Sequence, residues 1–393
     1  MRWTALETDV VDLEAFIAIN RARNWDEFRQ ALTLYGGPPQ NFAYADTAGH
    51  IGHHTAGRIP LRKTGDGSVP YDGTTDDGDW VRFIPFEELP HVLDPVSGII
   101  IAANNRIVGD DYPHHITHNW RVPYRARRIH NLLKAREKLT IADFFAIQGD
   151  TYSYPDAIFA AEVVRIGQPL AKESNEWREL VDALTGWDGY SNSESTVLPI
   201  ITQMRATFRR HILESVLGTE LEKLFEWRNE ATFIDRLIVE RPSDWLPDGF
   251  TSYESLILEC YRETRASLAE RLGADSEKWT WGRLEPVRFP HPLERLESIG
   301  SSFAINAFPQ NTGGSMPTVN AGARVSLRFV ADLSDWAMTR VCLPLGESGE
   351  LSSPHRDDQF SEWRNVTARA LPFDDDDIAK VCRNVLVIKP SAS

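Results

Sequence analysis

Cysteine is scarce in this chain. Three residues in 393, Cys260, Cys342 and Cys382, lie far apart and form no CxxC pair. That excludes a disulfide framework and a cysteine-built zinc site, and leaves buried free thiols as the expectation. Long apolar runs are missing as well: nothing approaches the ~18 consecutive apolar residues of a membrane-spanning helix. The opening stretch MRWTALETDVVDLEAF carries acids where a signal peptide has its apolar core, so the chain as written is expected to stay in the cytoplasm. Basic charge is in deficit, with 42 Lys and Arg against 57 Asp and Glu, a net −15. Such a surface repels phosphate backbones, so neither nucleic acid nor membrane is an expected partner.

Several catalytic signatures are absent too. There is no HExxH, no GxGxxG and no phosphate loop followed by Lys. The segment Gly346–Glu350 resembles a serine elbow only superficially, because it lacks the second spacing and the strand-turn-helix context. Two histidine groups are present, His50, His53 and His54 as HxxHH and His114, His115 and His118 as HHxxxH. Imidazoles four apart on a helix can share a metal, but neither group lies in a helical pattern and no carboxylate falls at ligand spacing. They read as solvated loop histidines.

What the chain does contain is an ordinary soluble composition, 42% hydrophobic and 25% charged, with twelve Trp and 18 Phe to fill a core. Residues 9 to 33 place Val11, Phe16, Ile19 and Trp25 among charges, which predicts one or two amphipathic helices stopped at Gly36–Pro39. Residues 41 to 62 predict a β-hairpin turning at Asp46–Gly49, followed by a polar loop from about 63 to 79. Gly98–Ala103, GIIIAA, predicts a strand buried on both faces and ending at Asn104 and Asn105.

From about Arg125 to 285 the apolar spacing of three and four predicts helices. After Pro290 strand patterns return in RVSLRFVADLS, TRVCLPLG and NVLVI, and Asp374–Asp377 reads as a helix start. The reading is therefore α+β, one interlocked unit in three segments: 1–124 β-rich with an N-terminal helix, 125–289 mainly helical, and 290–393 β-rich. The two β-rich ends are expected to share sheets, with the helices packed outside.

Asn104 is the residue with chemical promise. Held rigidly at a strand end, its amide N–H can serve as an oxyanion donor. Spacing alone favours the plainer reading, an Asn capping a turn.

The ordered blocks along the chain add to this reading. NFAYAD (Asn41–Asp46), GHIG (Gly49–Gly52), GRIP (Gly57–Pro60), IPFEE (Ile84–Glu88), PVSG (Pro95–Gly98), ANN (Ala103–Asn105) and DYP (Asp111–Pro113) precede PYRARRI (Pro123–Ile129). Near the end come GESG (Gly346–Gly349) and SPHRDDQ (Ser353–Gln359), before Trp363. Together they resemble the large subunit of the penicillin acylases, over essentially the whole chain and in order. The resemblance implies an αββα sandwich of the N-terminal-nucleophile hydrolase type with a large helical insertion. It also implies hydrolysis of linear amides, in penicillin, N-acyl-homoserine lactones or other small N-acyl substrates, through a Ser acyl-enzyme.

By the same resemblance Asn104 is the side-chain oxyanion donor and Arg125 organises the site, while Asn41 and Tyr44 are structural. The nucleophilic Ser, the small subunit and the start of the large subunit are expected upstream, since neither Met1 nor Arg2 can attack a carbonyl. This chain would then be an incomplete fold, inactive without an upstream segment or partner chain, or else a non-catalytic remnant. No cofactor is expected: the family's calcium ligands lie mostly upstream, and the downstream position that should offer an acid, near His114, holds histidines. Members of the family are often exported.

Overall fold

The computed structural model describes residues 2–7, 9, 12–296, 305–307 and 313–390. Val11 lies outside them. By contact they form two compact units, Met1–Ala135 with Glu226–Phe233, and Arg136–Phe225 with Ile234–Ser393, where the sequence was read as a single interlocked one.

The first unit opens with two helices, α1 (Asp12–Ile19) and α2 (Trp25–Leu32). Asn24 starts α2 by accepting the Glu27 N–H at 2.9 Å, which satisfies one of the amides that a helix N-terminus leaves without a partner. Asp12 of α1 accepts both the Gly36 and Gly37 N–H groups at 3.0 Å, tying the turn after α2 back onto the first helix.

The hairpin forms as the alternation predicts. β1 (Gln40–Ala45) pairs antiparallel with β2 (Ile51–Ala56), and β2 pairs on its other edge with β5 (His91–Leu93). Asp46 at the turn accepts the Tyr44 hydroxyl and the Ala48 and His50 N–H groups. The apolar face of α2 lies on this sheet, with Trp25, Phe28, Leu32 and Ala56 forming a cluster. A Cβ added at Gly52 would stand 2.3 Å from the Trp25 ring, so glycine there lets the indole lie against β2. A second, two-stranded sheet joins β3 (Pro60–Arg62) and β4 (Trp80–Phe83) across the polar 63–79 loop, and α3 (Tyr124–Lys134) follows later.

The second unit is mainly helical. Its helices include α4 (Ile141–Gln148), α5 (Tyr154–Leu170), α6 (Asn175–Leu184), α7 (Val197–Leu217) and α8 (Thr219–Glu222). The series continues through α9 (Glu230–Glu240), which belongs to this unit from Ile234 onward, α10 (Tyr253–Leu272) and α11 (Trp281–Leu284). α7 packs along α10, and α5 along α6. Leu198, Leu268, Trp279, Trp281 and Leu284 form one buried apolar cluster there. Buried Asp235 accepts from Arg205 at 2.7 Å, joining α9 to α7.

Strands return as β6 (Val287–Phe289) with β7 (Ile305–Ala307), and as β8 (Arg328–Val330), β9 (Arg340–Cys342) and β10 (Arg369–Ala370) in the order β10-β9-β8. Two short helices, α12 (Phe360–Arg364) and α13 (Asp375–Val381), complete the described chain. Trp363 and Arg328 are both fully buried, with Arg328 Nε donating to the Trp363 carbonyl at 2.9 Å and Nη2 to Asn320 at 3.2 Å. Burial pulls this guanidinium down to about 10.

Four expectations are corrected. Gly98–Ala103 is not a strand: the three isoleucines are half-buried in irregular chain with no ladder partner among the described residues. Val385–Ile388 of NVLVI are exposed and equally unpaired. Each sheet draws its strands from one unit, so the shared sheets are not formed among the described residues. A β-branched run encodes a preference for extended backbone, but a strand exists only where a neighbour supplies the hydrogen bonds. Fourth, Cys382 is exposed while Cys260 and Cys342 are buried.

The hairpin sheet contains a titratable group with a calculable consequence. His54 is fully buried, stacked between Phe86 (4.5 Å between ring centroids) and its cross-strand partner His91 (5.2 Å). Nδ1 donates to the Thr55 carbonyl at 2.8 Å, which leaves Nε2 as a bare, buried lone pair. Burial above all, with the nearby His91, Arg29 and His53 charges adding to it and the Thr55 bond opposing, pushes the imidazole from 6.5 down to about 4. The unfolded chain therefore binds this proton more tightly than the folded one. The stability from a neutral His54 is complete above about pH 6.5 and is lost as pH falls towards 4. Between pH 7.5 and 5.0 the loss amounts to roughly 2 kcal/mol. Urea unfolding at the two pH values measures it, and His54→Asn should remove that share of the difference.

Candidate active site

Asn104 and Arg125 come together as a pair. Arg125 occupies the first turn of α3, which begins after Pro123. Proline presets a helical φ and costs no hydrogen bond at a helix start; the Arg, Ala, Leu and Lys that follow are good helix formers, and Tyr124 is buried as its anchor. From this position Arg125 Nη2 reaches back to the Ala103 carbonyl at 2.9 Å and to Asn104 Oδ1 at 2.7 Å.

This contact determines the direction of the Asn104 amide. A guanidinium only donates, so the atom it meets must be the amide oxygen. Nδ2, carrying both N–H donors, consequently points away from Arg125, and it has no hydrogen-bond partner among the described residues. The side chain is exposed. Burial, and secondarily the charge of Arg121, draw the Arg125 guanidinium below its ordinary value, yet an arginine stays cationic at neutral pH.

The backbone supports the same geometry. Asn104 adopts φ +62°, a left-handed conformation that asparagine tolerates better than other non-glycine residues. Its carbonyl accepts the Arg121 N–H at 2.8 Å, and Asn105 Oδ1 accepts the Ala103 N–H at 3.2 Å. The chain from Asn104 to Arg121 is thus a loop closed on Asn104 itself. Tyr112 donates to the Glu88 carbonyl at 2.9 Å and His114 pairs with the Glu88 carboxylate at 2.5 Å, so the loop is also pinned from outside.

Tyr44 and Asn41 both lie on β1. Tyr44 packs on Trp25 and Phe28 and bonds Asp46; burial and then Asp46 raise its hydroxyl to about 12. Asn41 accepts from Thr55 at 3.1 Å and faces His53 Nε2 at 3.0 Å. Asn41 and Thr55 also line a cavity of about 390 Å³ in the first unit, walled by Trp3, Trp80, Ile116 and Trp120 and flanked by Arg58 and Arg62. GESG and SPHRDDQ form a buckle around β9: Gln359 accepts the Leu343 N–H at 2.9 Å and donates its own N–H to Leu345, while Ser348 donates to the His355 carbonyl.

The histidine groups behave differently from each other. His50 pairs with Asp94 at 2.6 Å, His53 with Asn41, and His54 is the buried stack, so HxxHH does not converge. In HHxxxH, His115 and His118 stand with ring centroids 4.4 Å apart, and His118 Nε2 meets Asp66 at 2.6 Å. Asp66 was missed in the sequence, being about fifty residues away and brought in only by the β3–β4 loop. The resemblance places a calcium ligand in this region. Two imidazoles and a single carboxylate do not fit Ca²⁺, which takes about 6–8 oxygen ligands.

Compared with solved structures, the chain matches the thermostable penicillin G acylase of Alcaligenes faecalis with a TM-score of 0.71 at 17% identity, over 97% of this chain and 73% of that one. The fold is accordingly the α+β fold of the N-terminal-nucleophile hydrolases. A family model described as penicillin amidase matches residues 1–380, and the chain belongs to that family. It is 28% identical over 355 residues to the penicillin acylase 2 proenzyme of Pseudomonas sp. (strain SE83), covering 86% of this chain and 45% of that protein. Against the acyl-homoserine lactone acylase QuiP of Pseudomonas fluorescens it is 24% identical over 390 residues, covering 92% and 47%. Penicillin G acylase of Escherichia coli is 33% identical over 192 residues, 46% of this chain and 22% of that protein. The chain spans about half the length of the first two.

The left-handed backbone at Asn104 is testable apart from any activity. Asn104→Gly and Asn104→Val both remove the amide oxygen that Arg125 meets, so the difference between them isolates the backbone. The Val variant, which forces a β-branched residue to positive φ, should be less stable than the Gly variant by about 1–3 kcal/mol in thermal or urea unfolding.

Proposed function

We propose that this chain supplies the oxyanion-stabilising part of a serine amidohydrolase that cleaves linear amides of small N-acyl compounds, the amide of penicillin or of an N-acyl-homoserine lactone being the two substrate types. The observation that carries this reading is the outward-facing Asn104 Nδ2, held there because Arg125 occupies the amide oxygen. A donor oriented before the substrate arrives needs no reorganisation when the carbonyl oxygen becomes an oxyanion. The guanidinium also places fixed positive charge behind the amide, polarising its N–H bonds towards the developing negative charge.

In this reading the nucleophile is the α-amine-activated Ser of a segment or chain outside these 393 residues. Its hydroxyl adds to the amide carbonyl, the oxyanion is held by Asn104 Nδ2, the amine leaves with a proton, and water releases the acid from the acyl-enzyme. The relatives are consistent with a larger working unit: one is a proenzyme by name, and this chain covers 45% of it. Arg125 acts through Asn104 and is a positioning residue.

The chain alone should give no turnover of a chromogenic phenylacetyl or aliphatic amide, whereas co-expression with a Ser-initiated upstream segment of the family should. Robust turnover by the chain alone would sink the assignment of the nucleophile elsewhere. Absence of turnover even in a stable assembled complex would favour a non-catalytic remnant. In the active assembly, Asn104→Ala should lower kcat by about 10²–10³ with little change in KM. An unchanged kcat would remove Asn104 from the oxyanion role.

A further inference from the structure

We propose that Asp66, His115 and His118 form a binding site for a divalent transition cation of the zinc class. Their ligand atoms already lie within 4.8 Å of one another. A tetrahedral site with metal–ligand bonds near 2.0–2.1 Å separates its ligand atoms by about 3.3 Å, so closure requires side-chain rotation only. Two imidazole nitrogens with one carboxylate oxygen are a donor set for zinc, cobalt and related ions. It is not a calcium set.

The two loops that contribute the ligands are arranged to hold them. Asp66 turns its other oxygen to the Ser68 N–H at 2.8 Å, leaving Oδ2 directed at His118. The next residue, Gly67, donates its N–H to the Tyr71 hydroxyl at 3.0 Å, bracing the loop from within. His115 and His118 are three apart on the facing loop, with their rings inclined at 43° and in contact. Without a cation, one carboxylate serves His118 and the second imidazole is left beside it; a bound cation gives all three ligands one partner. The Arg62 guanidinium rests against Gly67, a neighbouring positive charge that opposes binding and sets the affinity below that of a closed four-ligand site. Two of the ligands are exposed, so water completes the coordination.

The consequence reaches beyond the ion. His118 precedes Arg121 by three residues, and the Arg121 N–H holds the Asn104 carbonyl. A cation between Asp66 and the two histidines staples the 63–79 loop to the loop that begins and ends at Asn104. The site itself is independent of the amidase reading, and its test does not use activity.

Metal-free chain titrated with Co²⁺ should bind one ion, with visible absorption of a low-coordinate nitrogen–oxygen site that Zn²⁺ abolishes and Ca²⁺ does not. His115→Ala and His118→Ala should each weaken binding by more than the roughly 10–100-fold that loss of an outer partner costs. His50→Ala, at an exposed imidazole outside the cluster, should leave it unchanged. Zn²⁺ should raise the melting temperature of the native chain and not that of His118→Ala. The proposal is overturned by any of three results: no stoichiometric Co²⁺ binding by folded protein, undiminished binding in both cluster variants, or displacement of Co²⁺ by Ca²⁺.

Discussion

A single guanidinium organises the candidate site. Arg125 Nη2 bonds the carbonyl of Ala103 and the amide oxygen of Asn104 together, and three consequences follow. The backbone is held where Asn104 turns through positive φ. The amide can take only one of its two orientations. The loop that leaves Asn104 returns to it at Arg121, so the position of the donor is tied to the rest of the first unit. An exposed asparagine would otherwise sample several rotamers; in the proposed oxyanion role, ordering it on substrate binding would cost free energy that a donor already held in place does not lose.

The hairpin sheet provides the firm ground for this arrangement. Its packing comes from an aromatic layer, Trp25 and Phe28 of α2 against Tyr44 and the glycine gap at Gly52. Its far edge pairs His54 with His91. The buried, neutral imidazole is the weak point of that sheet towards acid, because burial disfavours its charged form and its unprotonated nitrogen meets no protein partner among the described residues. The sheet and the candidate site adjoin along the chain: β5 leads into the 94–103 segment that ends at Asn104.

Much of the local organisation is legible in the sequence. The helix pair, the hairpin with its Asp46 turn, the polar loop ending at Trp80 and the long helical run all follow from periodicity and turn residues, which act over a few positions. What failed was the pairing of strands. GIIIAA and NVLVI have the composition of buried strands, yet neither has a ladder partner among the described residues. Composition reports that a residue tolerates extended backbone; only a neighbouring chain decides whether its N–H and C=O groups are paired.

Family membership and the choice of Asn104 and Arg125 as the residues to watch came from the sequence, through the order of its short blocks. The direction of the Asn104 amide did not, because it depends on a hydrogen bond between residues twenty-one positions apart. Spacing alone made Asn104 a turn cap; the tertiary contact is what fixes its amide oxygen on Arg125 and so sets the direction of its N–H groups. The histidines make the same point. HHxxxH reads as solvent-exposed loop, and two of its members are exposed, but the carboxylate that completes the cluster arrives from a loop about fifty residues earlier. Helix periodicity and turn chemistry are local, so the sequence determined them; the convergence of side chains is set by packing between distant segments, and only the folded chain decided it.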